Sequence, residues 1–124
     1  MNALGVQKYE DLIVWQKAMD LVAEVYKIAK LLPGEELYAL SDQMRRAAVS
    51  IPSNIAEGNS RHTTQDYVRF LGIARGSKAE VETQLEICIR LNYITKDQTL
   101  SALALCNEIG KMLSSIIQRL GNRD

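Results

Sequence analysis

Apolar residues recur in steps of three and four along four long segments of the chain, the spacing typical of helices that each bury one face. The segments predict helices at about 10–32, 36–57, 63–91 and 95–120. The spacing of two residue pairs predicts N-terminal caps for the last two helices: Thr63 with Asp66, and Thr95 with Gln98. No strand-like alternation interrupts the four segments. Four helices of this length, joined by short loops, favour an all-α fold, an antiparallel up-down-up-down four-helix bundle formed by a single domain over residues 1–124.

The first predicted helix carries two adjacent apolar series. The first series is Leu12, Trp15, Met19, Val22, Tyr26 and Ala29; the second series is Val14, Ala18, Leu21, Val25, Ile28 and Leu32. The last predicted helix has a similarly wide apolar face. Such a face exceeds what one bundle core needs. These helices therefore contact two neighbours in their own chain, or one in their own chain and one in another subunit.

The second predicted helix contains Pro52, which removes a backbone donor and predicts a kink near Ala48. Gly58 is expected to end this helix in the left-handed conformation. If the second and third helices are antiparallel about a turn near residue 60, the residue numbers of two facing positions sum to about 121. That register predicts close backbone approach within a cluster of small residues: Ala47, Ala48, Ala74, Gly76 and Ser77.

Composition narrows the function classes. The chain has 15 basic and 15 acidic residues, so its overall field does not favour a polyanion, and nucleic-acid binding needs a local patch. Cys88 and Cys106 lie on apolar stripes, which favours buried, reduced thiols and a cytoplasmic location. Residues 1–7 lack the basic start and apolar run of a signal peptide, and no run of about 20 apolar residues predicts a membrane span.

Basic residues cluster on both helices that flank the 58–63 loop. The candidate phosphate contacts are Arg45, Arg46, Arg61, Arg69, Arg75 and Lys78. In a cyclic oligomer this patch is repeated, and its summed field grows. The alternative is a solvated face whose cations pair with carboxylates of the same chain.

A polar group accompanies the same helix pair: Asn54, Glu57, Ser77 and Glu80. We interpret it as a structural cluster. Glu57 near a helix C-terminus needs a cationic partner, with Arg61 and Arg75 as candidates. Asn54 is placed to satisfy carbonyls freed by the proline. The competing interpretation is an active site that uses Glu57, Arg75 and Glu80 on a small anionic substrate.

Catalytic and cofactor motifs are missing from the sequence. His62 is the only histidine and has no nearby cysteine or second histidine, which argues against a metal site. The sequence has no phosphate-binding glycine loop, no nucleophile elbow and no zinc-protease motif. We therefore expect no catalytic residues, no metal and no cofactor.

With these residues in view, the chain resembles the family called four helix bundle protein, whose early members resemble products of intervening sequences in bacterial large-subunit ribosomal RNA genes. The segments that carry the likeness are 9–12, 43–47, 50–58 and 73–77, with Trp15, Ala18, Leu40, Tyr67, Phe70, Leu71, Glu80 and Glu82. The resemblance covers about residues 9–120 and implies an antiparallel bundle that assembles into a ring-like homopentamer.

The chain is also distantly similar to the accessory proteins of diversity-generating retroelements. That likeness implies a pentameric barrel that binds nucleic acid and a reverse transcriptase, although those proteins are strongly basic and this chain is neutral. We therefore expect a non-enzymatic oligomeric protein that contacts RNA or nucleoprotein through the repeated basic patch. The alternative is a protein–protein scaffold without nucleic-acid binding.

Overall fold

The computed structural model describes residues 8–121. Its helices are α1 (Ile13–Ala29), α2 (Leu40–Asn59), α3 (Thr64–Arg90) and α4 (Leu100–Gly121). Short 3-10 turns precede α1, α2 and α4, at Tyr9–Asp11, Gly34–Glu36 and Asp97–Thr99. The part of the chain so described contains no strand. The predicted all-α four-helix bundle is confirmed, whereas the predicted domain limits extend into residues 1–7 and 122–124, outside the described residues.

The helices pack in a closed cycle: α1 contacts α2 and α4, and α3 contacts α2 and α4. The core lies between them. From α1 it receives Val14, Ala18, Leu21, Val25 and Ile28, together with Leu32 beyond the end of the helix. This is the second apolar series of the sequence, and every member is buried. The first series is divided: Leu12 and Ala29 are buried, Trp15 and Val22 are half-buried, and Met19 and Tyr26 are exposed.

Two predicted N-terminal caps are confirmed. The hydroxyl of Thr63 accepts a hydrogen bond from the backbone N–H of Asp66 at 3.1 Å, which begins α3. Thr95 and Gln98 cap each other: the N–H of Thr95 donates to the Gln98 side chain at 2.8 Å, and the N–H of Gln98 donates to the Thr95 hydroxyl at 3.3 Å. This capping box lies at the start of the 3-10 turn Asp97–Thr99, and α4 begins after that turn, at Leu100.

The predicted role of Gly58 is wrong. The α2 helix continues through Gly58 to Asn59, and among the described non-glycine residues only Asn92, in the α3–α4 loop, has a positive φ, of 60°. Gly58 is instead buried against α3. A Cβ placed there would stand 2.8 Å from Cβ of Phe70 and 3.0 Å from Cδ1 of Tyr67. Only a glycine allows this approach of the two helices.

The predicted register between α2 and α3 also shifts. Ser50 and Ser77 share a hydrogen bond of 2.8 Å, so facing positions here sum to 127 rather than to about 121. The difference arises because α2 runs past Gly58 and the turn is centred later. The predicted close approach at Gly76 is wrong as well, since nothing lies within 4 Å of a Cβ placed there. The up-down order and the kink at Pro52 stay predictions, although Pro52 lies buried within α2.

Candidate nucleic-acid interface

The six candidate cations fall into three separate pairs on the surface of the subunit. Arg45 and Arg46 lie near the start of α2, Arg61 and Arg69 flank the α2–α3 loop, and Arg75 and Lys78 follow on α3. Among the described contacts, none joins one pair to another.

The first pair stays within the α1–α2 face. The guanidinium of Arg45 donates to the carbonyl of Leu37 at 3.2 Å and lies 5.9 Å from the ring centroid of Tyr26. Arg46 forms an ion pair with Asp42 at 2.9 Å, and its side chain is 80% exposed. Both cations are held by partners of their own chain, and both guanidinium groups lie in the outer part of the bundle.

The second pair is arranged around Phe70. The guanidinium carbons of Arg61 and Arg69 lie 4.8 and 4.5 Å from the Phe70 ring centroid. This geometry is that of cation–π contacts. Each arginine also has an exposed carboxylate partner on its own helix or at its end: Arg61 pairs with Glu57 at 3.4 Å, and Arg69 with Asp66 at 3.9 Å.

The third pair reaches into a cleft between α3 and α4, which we call the α3–α4 cleft. Its volume is about 500 Å³, and its lining residues are Arg75, Lys78, Asn107, Gly110, Lys111, Ser114, Ser115 and Gln118. Arg75 donates to the hydroxyl of Ser114 at 3.4 Å, across the two helices. The ammonium of Lys78 pairs with Glu82 at 3.0 Å and is only 17% exposed.

Sequence reasoning missed the α4 side of this cleft. In the sequence, Gly110 falls on an apolar stripe of α4 with Cys106 and Leu113, both of which are buried. The available signal was a polar stripe one step around the helix. Its members recur in steps of three and four: Asn107, Lys111, Ser114 and Gln118. That spacing puts them on one face of α4.

The predicted polar cluster is divided by the structure. Asn54 donates to the carbonyl of Ser50 at 2.7 Å and to its hydroxyl at 2.9 Å, and Ser50 bonds to buried Ser77. Both amide protons of Asn54 are thereby directed at Ser50, two residues before Pro52, and not at the carbonyl of Ala48 that the proline leaves free. Glu80 is exposed on α3, away from this group of contacts.

The residues of the alternative active site have different partners. Glu57 pairs with Arg61 at the end of α2, whereas Arg75 bonds to Ser114 of α4. Among residues 8–121, no group of three histidine, cysteine, aspartate or glutamate side chains is placed to hold a metal ion. Cys88 and Cys106 are free thiols in the core, and burial raises their pKa values to about 11 and 12. Raised thiol pKa values disfavour the thiolate that nucleophilic chemistry requires.

The outer side of α1 carries an apolar surface next to α2. A groove of about 320 Å³ between α1 and α2 is lined by Tyr9, Trp15, Met19, Val22, Val49, Pro52, Ser53 and Ala56. Four of these residues are apolar side chains of α1 or the turn before it.

One helical segment, Asp97–Gly121, is long and apolar enough for a membrane span by length and composition alone. A core helix passes the same test, and α4 buries Cys106, Ile109 and Leu113 in the bundle.

Comparison with known proteins identifies the family. The sequence model described as 23S rRNA-intervening sequence protein matches residues 10–115. The chain belongs to the 23S rRNA-intervening sequence protein family. A search of curated proteins found no match.

A solved structure agrees with this assignment. The chain is similar to a crystal structure from Bacteroides thetaiotaomicron, described as a protein of unknown function from the S23 ribosomal protein family. The two sequences are 33% identical, the match covers 85% of this chain and 98% of the other, and the TM-score is 0.78. The family resemblance drawn from the sequence is confirmed. The function of that relative is described as unknown, so the comparison supplies the family and the fold.

Proposed function

We propose that this protein is a non-enzymatic homo-oligomer of the cytoplasm that contacts RNA through a basic surface repeated in each subunit. The observation that carries the proposal is the state of its cations. Arg46, Arg61 and Arg69 keep side chains that are 80, 42 and 59% exposed. The ion-pair partner of each is a carboxylate three or four residues away whose side chain is 40–54% exposed.

In such ion pairs the carboxylate is easily replaced by another anion. An exposed ion pair contributes only about 0–1 kcal/mol, because water and salt screen both charges. A phosphate that replaces the carboxylate regains the electrostatic contact and releases counterions from the nucleic acid. The guanidinium groups of Arg61 and Arg69 are also held in place by Phe70, so less side-chain entropy is lost when they bind.

Because the chain is neutral overall, the proposed RNA contact depends on repetition of its basic surface in an oligomer. The apolar groove between α1 and α2, with exposed Met19 and half-buried Trp15 and Val22, is the surface we assign to the contact between subunits. A ring would bring several copies of the basic surface within reach of one polyanion. Five subunits are the number implied by the family resemblance.

A salt titration tests the proposal. We expect the purified protein to bind single-stranded RNA at low salt, with an affinity that falls steeply as salt rises. Native mass spectrometry of the same sample should show the oligomer. No RNA binding at low salt, or an affinity insensitive to salt, contradicts the proposed contact, and a monomer at high concentration contradicts the proposed assembly.

A second candidate function is a scaffold for a partner protein. It is favoured by apolar side chains at the end of the bundle that holds the α1–α2 and α3–α4 loops, which the Tyr93–Glu36 hydrogen bond of 2.8 Å joins. The exposed residues there are Leu31, Leu37, Tyr38, Leu91 and Leu100. Recovery of one defined protein partner after nuclease treatment, without any RNA affinity, favours this function over the first.

A further inference from the structure

We propose that the α3–α4 cleft binds a backbone phosphate of RNA between Arg75, Lys78 and Lys111. The inference rests on the proposed function and names one site on the subunit at which a phosphate is bound. It differs from the patch expected from the sequence, because Lys111 comes from α4 and because four of the six original cations lie outside the cleft.

Charge is the first argument. Three cations from two helices line the cleft, and none of the described lining residues is a carboxylate. The acids nearest in sequence to these cations are not lining residues, and Glu80, two residues after Lys78, is exposed on α3. Glu82 pairs with Lys78, while Glu108, three residues before Lys111 on α4, forms an ion pair with Lys17 of α1. With Glu82 included, three positive charges and one negative charge leave the cleft at +2.

The hydrogen-bonding groups fit an anion. The hydroxyl of Ser114 accepts from Arg75, which leaves its own proton free to donate. The hydroxyl of Ser115 and the side-chain amides of Asn107 and Gln118 supply further donors on the same wall. Lys78 lies over Gly110, where a Cβ would come within 3.0 Å of its ammonium nitrogen. The missing side chain at Gly110 thus gives this half-buried cation its place in the cleft.

The lining also indicates which part of the RNA binds. The described lining residues include no aromatic ring, so the cleft offers no surface on which bases stack. Positive charge and short polar side chains instead match the sugar–phosphate backbone. Binding at this cleft should therefore depend little on base sequence.

The experiment compares charge-removing variants inside and outside the cleft. The cleft variants are Lys111→Gln, Arg75→Gln and the double variant; the control is Lys27→Gln, which removes one charge from an exposed side chain of α1. The probe is a fluorescent single-stranded RNA of about 12 nucleotides, within the usual site size of such proteins. Each single cleft variant should weaken binding about 3- to 10-fold at low salt and reduce the salt slope by about 0.7, and the double variant should reduce that slope by about 1.4.

The outcomes separate this inference from the proposed function. If the unmodified protein binds RNA and the cleft variants behave like Lys27→Gln, the cleft is not the phosphate site, and the proposed function stands. If the unmodified protein does not bind RNA at low salt, both fall. Lys111 is exposed, so Lys111→Gln keeps the test valid even if Arg75→Gln disturbs the contact between α3 and α4. A cleft variant that weakens RNA binding while Lys27→Gln does not supports the inference.

Discussion

Gly58 of α2 and Phe70 of α3 approach each other so closely that a Cβ on the glycine would lie 2.8 Å from Cβ of the phenylalanine. Beneath this contact the two helices bury Ile55 and Tyr67. On the outer side of Phe70 lie the guanidinium groups of Arg61 and Arg69. The glycine therefore sets the distance between two helices and, through Phe70, the place of two surface cations.

Gly58→Ala should destabilise the protein. The new methyl group meets an atom next to the α3 backbone, which has little freedom to move, and overpacking of this kind costs about 1–3 kcal/mol. The helix gains about 1 kcal/mol from alanine, so we expect a net loss of up to about 2 kcal/mol. Urea unfolding followed by circular dichroism measures it.

The matched control is Gly72→Ala. Gly72 lies inside α3, and nothing lies within 4 Å of a Cβ placed there. This variant should be more stable than the unmodified protein by about 0.5–1 kcal/mol. Equal effects of the two substitutions would show that helix propensity alone determines the change in stability and that Gly58 has no packing role.

The outer apolar surface of α1 gives a prediction about assembly. Met19→Glu places a charge on the α1–α2 groove, at a side chain that is 45% exposed. Because Met19 is outside the core, the subunit should keep its helix content, while the oligomer should dissociate. Sedimentation velocity measures the mass, and Ala79→Glu, at an exposed position of α3, is the control expected to stay assembled. An unchanged mass for Met19→Glu would place the subunit contact elsewhere.

The sequence allowed the helices and their two capping boxes to be predicted, because these depend on residues three or four positions apart. It did not decide which apolar series of α1 is buried. Val25 and Tyr26 both belong to series with helical spacing, and the choice depends on the surfaces that α2 and α4 offer.

Interactions between helices explain the other differences. Gly58 stood out in the sequence, but its close approach to Phe70 depends on the register of α2 against α3. That register in turn depends on a turn only a few residues long. The polar stripe of α4 indicates one wall of the α3–α4 cleft. Its pairing with Arg75 required knowing which face of α3 lies opposite.

Alkaline pH should destabilise the fold through groups buried in the core. Burial raises the pKa of Cys106 to about 12 and that of Cys88 to about 11. Burial also raises the pKa of Tyr67 to about 12, against an opposing effect of Arg119. In the unfolded chain a thiol titrates near pH 8.5 and a tyrosine near pH 10. Between those values and the folded ones, the unfolded state has released protons that the folded state retains.

The sign follows from that difference in bound protons. The unfolded state holds fewer protons, so the free energy of unfolding decreases as pH rises from about 8.5 to 12, and the contribution is fully present below pH 8.5. Urea midpoints measured between pH 7 and 11 should fall above about pH 8.5. Cys106→Ala removes one of the titrating thiols, so its midpoint should start lower because of the cavity but decline less steeply. A parallel decline in both proteins would show that Cys106 titrates normally in the folded state.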